Sequence, residues 1–180
     1  KGVAIINECV PKYKDFIEAA KINNLKIITI GNSKSSNWKF KIINIHRAKQ
    51  EIEVSYNNIK TVIFSNLIGE YQINNLITSF SILIEMGFKR QIVEGIIGKL
   101  KSPPGRLELI TENNDKKIYV DFAHTPDALK NVLSSIRPYV LKKLYLILGC
   151  GGDRDKGKRA LMGKIANNYA RILVCLDSNH

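Results

Sequence analysis

Two loops carry side chains whose types and spacing suit a negatively charged ligand. The first is Gly149-Cys150-Gly151-Gly152-Asp153-Arg154-Asp155-Lys156-Gly157-Lys158-Arg159, which follows the apolar run 144–148 and leads into a helical pattern from Ala160. Glycines let a backbone come close to a ligand, and a helix start offers free N–H groups. Arg154, Lys156, Lys158 and Arg159 add charge that phosphate or carboxylate can use. Self-pairing with Asp153 and Asp155 is the structural alternative. The run fits neither the Gly-x-x-x-x-Gly-Lys-[Ser/Thr] nor the Gly-x-Gly-x-x-Gly pattern, so its spacing alone names no nucleotide.

The second loop is Asp121-Phe122-Ala123-His124-Thr125-Pro126-Asp127, between a predicted strand at 118–121 and a helix. Thr125 suits the N-cap and Pro126 the first helical position. This spacing predicts Asp121 and His124 at the carboxyl end of a parallel strand, where open α/β sheets take ligands. A functional role there would be for Asp121 to hold a ribose hydroxyl and for His124 to meet a phosphate. The alternative is that Asp121 caps the turn and His124 is a satisfied loop residue. Arg106 follows Pro103-Pro104-Gly105 at an inferred hinge, placed either to reach a ligand between two domains or to pair at the surface. Residues 69–75 are predicted to precede a helix, with amides to read an adenine edge or to cap that helix. No Ser/His/Asp or Cys/His nucleophile arrangement and no zinc ligand set occurs.

The elements that must position these residues change character along the chain. Residues 2–6 predict a buried strand, followed by a helix with Pro11 in its first turn and Tyr13, Phe16, Ile17 and Ala20 on one face. Residues 26–30 predict a second strand. Trp38, Phe40 and Ile42, then Ile52, Val54 and Tyr56, then 61–64, predict an antiparallel meander. Leu76, Ile77, Phe80, Leu83 and Ile84 mark one helix ending near Gly87, and Ile92, Val93, Ile96, Ile97 and Leu100 another. Ser102-Pro103-Pro104-Gly105 breaks the pattern and is the predicted domain boundary. Beyond it strands at 107–110, 118–121, 144–148 and 172–176 alternate with helices from Pro126 and Ala160, the rhythm of a parallel sheet with covering helices. Residues 32–37 and 112–117 read as polar loops.

Composition bounds the function. The 44% hydrophobic content of this 180-residue chain supports a packed core. No apolar run is long enough to span a membrane. Cys9, Cys150 and Cys175 lack metal-type spacing and point to a reducing compartment, with Cys9 and Cys175 read as packing residues beside strands. The net charge of +12 comes with lysines spread along the chain in a Lys-, Ile- and Asn-rich composition, which disfavours a nucleic-acid partner. The sequence begins inside a strand-like run without Met and ends just past another, and is expected to be part of something longer.

Together these motifs resemble the Mur ligase family. The Asp121–Leu129 and Gly149–Arg159 runs, with Leu161-Met162-Gly163, are similar to the members that add the third stem-peptide residue in peptidoglycan synthesis. Gly2-Val3-Ala4-Ile5-Ile6-Asn7 resembles the family's strand before its Asn-Asp-Asp-Pro turn, and Gly105-Arg106-Leu107-Glu108 its Gly-Arg-Met-Glu junction. The resemblance implies an α/β fold: residues 1–104 as the later half of a central ATPase-type domain, 105–180 as the start of a Rossmann-like, parallel-sheet C-terminal domain. It implies ATP and magnesium as cofactors, with the magnesium ligands mostly outside this chain. The implied substrates are a nucleotide-linked muramoyl dipeptide and a diamino acid, either diaminopimelate or lysine, joined through an acyl phosphate in the cytoplasm.

Carried over by position, Asn75, Arg106, Asp121 and His124 face ATP, with Asp121 on the ribose. Arg154 and Asn179 meet the incoming amino acid, and Lys156, Lys158 and Arg159 stabilise phosphate charge. The chain departs from the pattern at Gln72, which replaces the first Asn of an Asn-x-x-Asn pair, at Glu8-Cys9, which replace Asp-Asp, and at Ser178 and His180 in the amino-acid-selecting motif. The family's P-loop, carbamylated lysine and magnesium-binding acid have no counterpart here. The chain is therefore expected to be inactive alone, as a truncated or split ligase whose partner is the missing N-terminal part. The alternatives are an inactive relic and a folylpolyglutamate synthase-like ligase.

Overall fold

The computed structural model describes residues 2–46, 49–114, 116–149 and 156–176, with no side-chain description for Lys156 or for 172–176. The chain divides into two compact units, Lys1–Leu100 and Lys101–His180.

The first unit is built on a five-stranded sheet in the order β1-β2-β3-β4-β5. β1 (Val3–Asn7) and β2 (Lys26–Ile30) run parallel over five residue pairs, from Val3↔Lys26 to Asn7↔Ile30. β2 meets β3 (Trp38–His46) in parallel through the single pair Ile30↔Trp38. β3, β4 (Lys49–Tyr56) and β5 (Ile59–Ser65) form the antiparallel meander that alternation predicts. Trp38, Phe40, Ile52, Val54 and Ile63 turn to one face because side chains alternate along a strand. There they pack with Ile73, Ile77 and Phe80 of α2 (Glu70–Glu85) and Val93 and Ile97 of α3 (Arg90–Ile97). Trp38 lies at the centre, fully buried, stacked on Tyr56 at 4.3 Å and 10° and tilted against Phe80 at 5.1 Å. Such aromatic pairs add about 0.5–1.5 kcal/mol each beyond the area they bury.

α1 (Tyr13–Ile22) starts later than the sequence suggests. Lys12, with φ +60, is its N-cap, and Pro11 lies outside the helix. Ala20 is buried, whereas Phe16 is exposed, so the predicted stripe is only partly covered among the described residues.

In the second unit β6 (Glu108–Asn113) and β7 (Lys116–Val120) form an antiparallel hairpin. Its strands reach into the stretch 112–117 read as a loop. α4 (Pro126–Ile136) and α5 (Lys156–Tyr169) pack through Leu129, Leu133, Met162 and Ala166 onto Leu148 of β8 (Tyr145–Gly149). β8 and β9 (Ile172–Leu176) are parallel over five pairs with α5 as the crossover, the βαβ unit that the sequence rhythm implies. No helix among the described residues is long and apolar enough to cross a membrane.

Candidate functional site

The Asp121 loop begins at the end of an antiparallel strand, because β7 pairs with β6 and not with β8 among the described residues. This corrects the parallel-strand placement. The carboxylate instead closes a backbone node. Asp121 Oδ2 accepts the Leu107 N–H at 2.8 Å and Oδ1 accepts the Ala123 N–H at 2.8 Å. Leu107 is buried at φ +47, a left-handed conformation unfavourable for a bulky residue. The charge-assisted bond to Asp121 helps hold it there.

Two further bonds complete the node. The Gly105 N–H donates to Glu108 Oε2 at 2.8 Å, and the Phe122 N–H donates to the Gly105 carbonyl at 2.9 Å. Gly105 has φ +66, and a Cβ there would run into the Phe122 ring. Arg106, between the two left-handed residues, is exposed. His124 is exposed, its Nδ1 2.9 Å from the Phe122 carbonyl. Thr125 caps α4 as expected: its Oγ1 accepts the Ala128 N–H at 3.2 Å, with Pro126 in the first turn. The turn-capping role of Asp121 is thus realised. Each carboxylate oxygen has more than one acceptor direction, so these bonds leave capacity for a ligand hydroxyl.

α5 begins at Lys156, four residues before the sequence-based start, so Lys156, Lys158 and Arg159 occupy its first turn. That turn holds no acidic residue. Cations at the positive end of a helix dipole cost roughly 0.3–1 kcal/mol each, and an anion offsets that cost. Arg154, Asn179 and the remainder of the glycine run lie outside the described residues, as does Ser178.

In the first unit Asn75 is not in a loop before a helix. It sits inside α2, exposed, with its carbonyl accepting Ser79 Oγ at 3.0 Å. Gln72 is buried on the same helix, and the N-cap is Gly69 at φ +92 with no side-chain cap. Sequence reasoning missed Asn7. Its Nδ2 donates to Asn74 Oδ1 at 3.2 Å, and its Oδ1 accepts the Cys9 N–H at 2.8 Å. Nothing in the local pattern pairs two asparagines that lie far apart in sequence on a strand and a helix. Cys9, read as a packing residue, is exposed in the turn after β1. Glu8 packs over Gly31 and accepts Ser36 Oγ at 2.7 Å.

Asn75 belongs to the first unit, and Arg106, Asp121 and His124 to the second. Among the described residues no three His, Cys, Asp or Glu side chains gather into one cluster.

Comparison with known proteins places this assembly of strands, junction and basic helix start. Residues 1–83 match the Mur ligase middle domain and residues 105–180 the Mur ligase glutamate ligase domain. The chain belongs to the Mur ligase family. It is 37% identical over 164 residues to the UDP-N-acetylmuramoyl-L-alanyl-D-glutamate--2,6-diaminopimelate ligase of Mesorhizobium japonicum, covering 91% of this chain and 34% of the relative. It is 37% identical over 181 residues to the ligase of the same name from Rickettsia typhi, covering 99% and 36%. A solved structure of a ligase of that name superimposes with a TM-score of 0.73 at 29% identity, over 97% of this chain and 36% of the other. The chain thus spans about a third of the length of the curated relatives it matches.

Proposed function

We propose that this chain contributes to ATP-dependent addition of diaminopimelate, as third residue, to a UDP-N-acetylmuramoyl dipeptide in cytoplasmic peptidoglycan synthesis. The observation that carries this reading is the 37% identity that runs across 99% of the chain to a ligase named for that reaction. The same identity disfavours a folylpolyglutamate synthase-like activity. It also supports diaminopimelate over lysine, between which the sequence leaves the amino acid open.

In this reading the domains divide at 104/105, and Asn75, Arg106, Asp121 and His124 serve ATP. Asp121 accepts from a ribose hydroxyl while keeping its two backbone N–H bonds. Lys156, Lys158 and Arg159 steady the phosphate charge from the first turn of α5. Arg154 and Asn179 hold the carboxylate end of the incoming amino acid. ATP phosphorylates the dipeptide carboxyl, the amine attacks the acyl phosphate, and inorganic phosphate leaves. Catalysis is then mostly orientation and charge stabilisation.

The reading is tested by exchange. These 180 residues replace the matching segment of the Rickettsia typhi ligase, and phosphate release is followed with ATP, the dipeptide substrate and either diaminopimelate or lysine. Turnover preferring diaminopimelate supports the reading. A folded chimera that binds ATP and releases no phosphate overturns it. The isolated chain should release none, and turnover by it would show that the phosphate-transfer machinery lies within these residues.

A further inference from the structure

We propose that Asn7 is a positioning residue for Asn75, fixing the direction from which α2 meets the adenine edge. The inference rests on the nucleotide reading of Asn75 given above, and its own support is geometric. Asn7 ends β1, where the five-pair register with β2 holds it, and the Glu8 N–H continues that ladder to the Ile30 carbonyl at 2.8 Å.

Both amides have their orientation set by backbone partners. Asn7 Oδ1 is taken by the Cys9 N–H, which leaves Nδ2 as the group turned toward α2. Asn74 Nδ2 donates to the Glu70 carbonyl at 3.3 Å, which leaves Oδ1 as the group turned toward β1. The bond of 3.2 Å between them therefore has one permitted sense. Neighbouring helix residues point about 100° apart, so holding Asn74 against the strand fixes where the exposed Asn75 points. Thr78 Oγ1 on the Asn74 carbonyl, at 2.8 Å, ties the same turn to the next. A rigid strand end thus governs a side chain that does not touch it, the arrangement that precise ligand groups need.

The test uses the 180-residue chain and four variants: Asn7→Asp, Asn74→Leu, Asn75→Ala and the Asn7→Asp/Asn75→Ala pair. Asn7→Asp keeps the acceptor for Cys9 and removes the donor to Asn74; Asn74→Leu removes the acceptor should Asn7→Asp fail to fold. ATP and inorganic tripolyphosphate are titrated into each by calorimetry. Asn7→Asp should weaken ATP about five- to tenfold, the scale of one lost hydrogen bond. It should leave tripolyphosphate unchanged and add nothing in the Asn75→Ala background. Equal weakening of both ligands, or additive losses in the pair, overturns the positioning role. So does an unchanged Asn7→Asp beside a weakened Asn75→Ala. An Asn75→Ala variant that keeps full ATP affinity sinks the adenine reading itself, and the inference with it.

Discussion

Leu107 and Asp121 are joined by a backbone-to-carboxylate bond of 2.8 Å that spans 14 residues and ties the junction before β6 to the end of β7. The carboxylate that the resemblance assigns to a ribose is thus also a structural clamp. Asp121→Ala should destabilise the second unit by about 1–3 kcal/mol, since it strands the Leu107 and Ala123 N–H groups. Asp121→Asn keeps one acceptor and should cost less. Chemical denaturation measures both. If Asp121 also meets the ribose, Asp121→Asn should lower ATP affinity by roughly tenfold in a fold that survives.

Gly105→Ala tests the same junction through the backbone. At φ +66 an L-residue costs about 1–2 kcal/mol. The Phe122 ring that a methyl group would meet is 64% exposed and free to swing aside, so the conformational cost dominates. A double variant with Phe122→Ala should recover little of the loss. Full recovery would show that the ring contact, not the backbone, was limiting.

In the first unit Glu85 accepts Lys26 Nζ at 2.5 Å and the Tyr56 hydroxyl at 3.0 Å. The lysine bond, then the tyrosine bond, hold the Glu85 carboxyl below its ordinary range against the opposing effect of burial. A lowered carboxylate adds stability above its ordinary value of 4.5, and that stability is lost as pH falls through the depressed folded-state value. Lys26 and Tyr56 are both raised, Lys26 chiefly by its bond to Glu85 and Tyr56 chiefly by burial. Their contribution is present below their ordinary values of 10.5 and 10.0 and fades as pH rises through the raised ones. Tyr119 in the second unit, pushed up to about 12 mainly by burial, adds to the alkaline loss. Thermal melts should therefore fall off below pH 4.5 and above pH 10, and Glu85→Gln should flatten the acid limb. The Glu85 side chain is 9% exposed and Lys26 55%, so Glu85→Ala should cost about 1–3 kcal/mol and Lys26→Met distinctly less, because the exposed lysine loses only a solvent-screened pairing.

The basic first turn of α5 should show opposite effects on stability and binding. Lys158→Ala takes one cation away from the positive end of the helix dipole, an interaction that disfavours the helix by about 0.3–1 kcal/mol. The same change should weaken binding of ATP and of tripolyphosphate alike. A variant that gains stability with no loss of either ligand would leave the turn without a phosphate role.

Much of this was readable in the sequence, and the misses have physical causes. The alternation of Trp38, Phe40 and Ile42 against lysines gives the meander because one sheet face is buried and the other wet. Thr125-Pro126 marks the start of α4 because capping chemistry is local. Pairing direction is not local: residues 118–121 read equally well as a parallel or an antiparallel strand, and only the β6 partner decides. α5 starts earlier than its apolar pattern suggests because its first turn is built of glycine and cations rather than apolar residues. The asparagine bridge between Asn7 and Asn74 left no trace, since neither residue stands out in its own segment.

The union of the parallel and antiparallel halves of the first unit's sheet has a mechanical meaning. Among the described residues the main-chain register across it is the one pair Ile30↔Trp38, with the Gly31 N–H on the Trp38 carbonyl at 3.0 Å. Just beyond, the Asn37 side chain takes the place of a strand, its Oδ1 accepting both the Thr29 N–H and the Thr29 hydroxyl. Two plates are riveted at one point and glued by an indole, so amide exchange should resolve them as separate cooperative blocks, with Trp38 fluorescence reporting the moment they part.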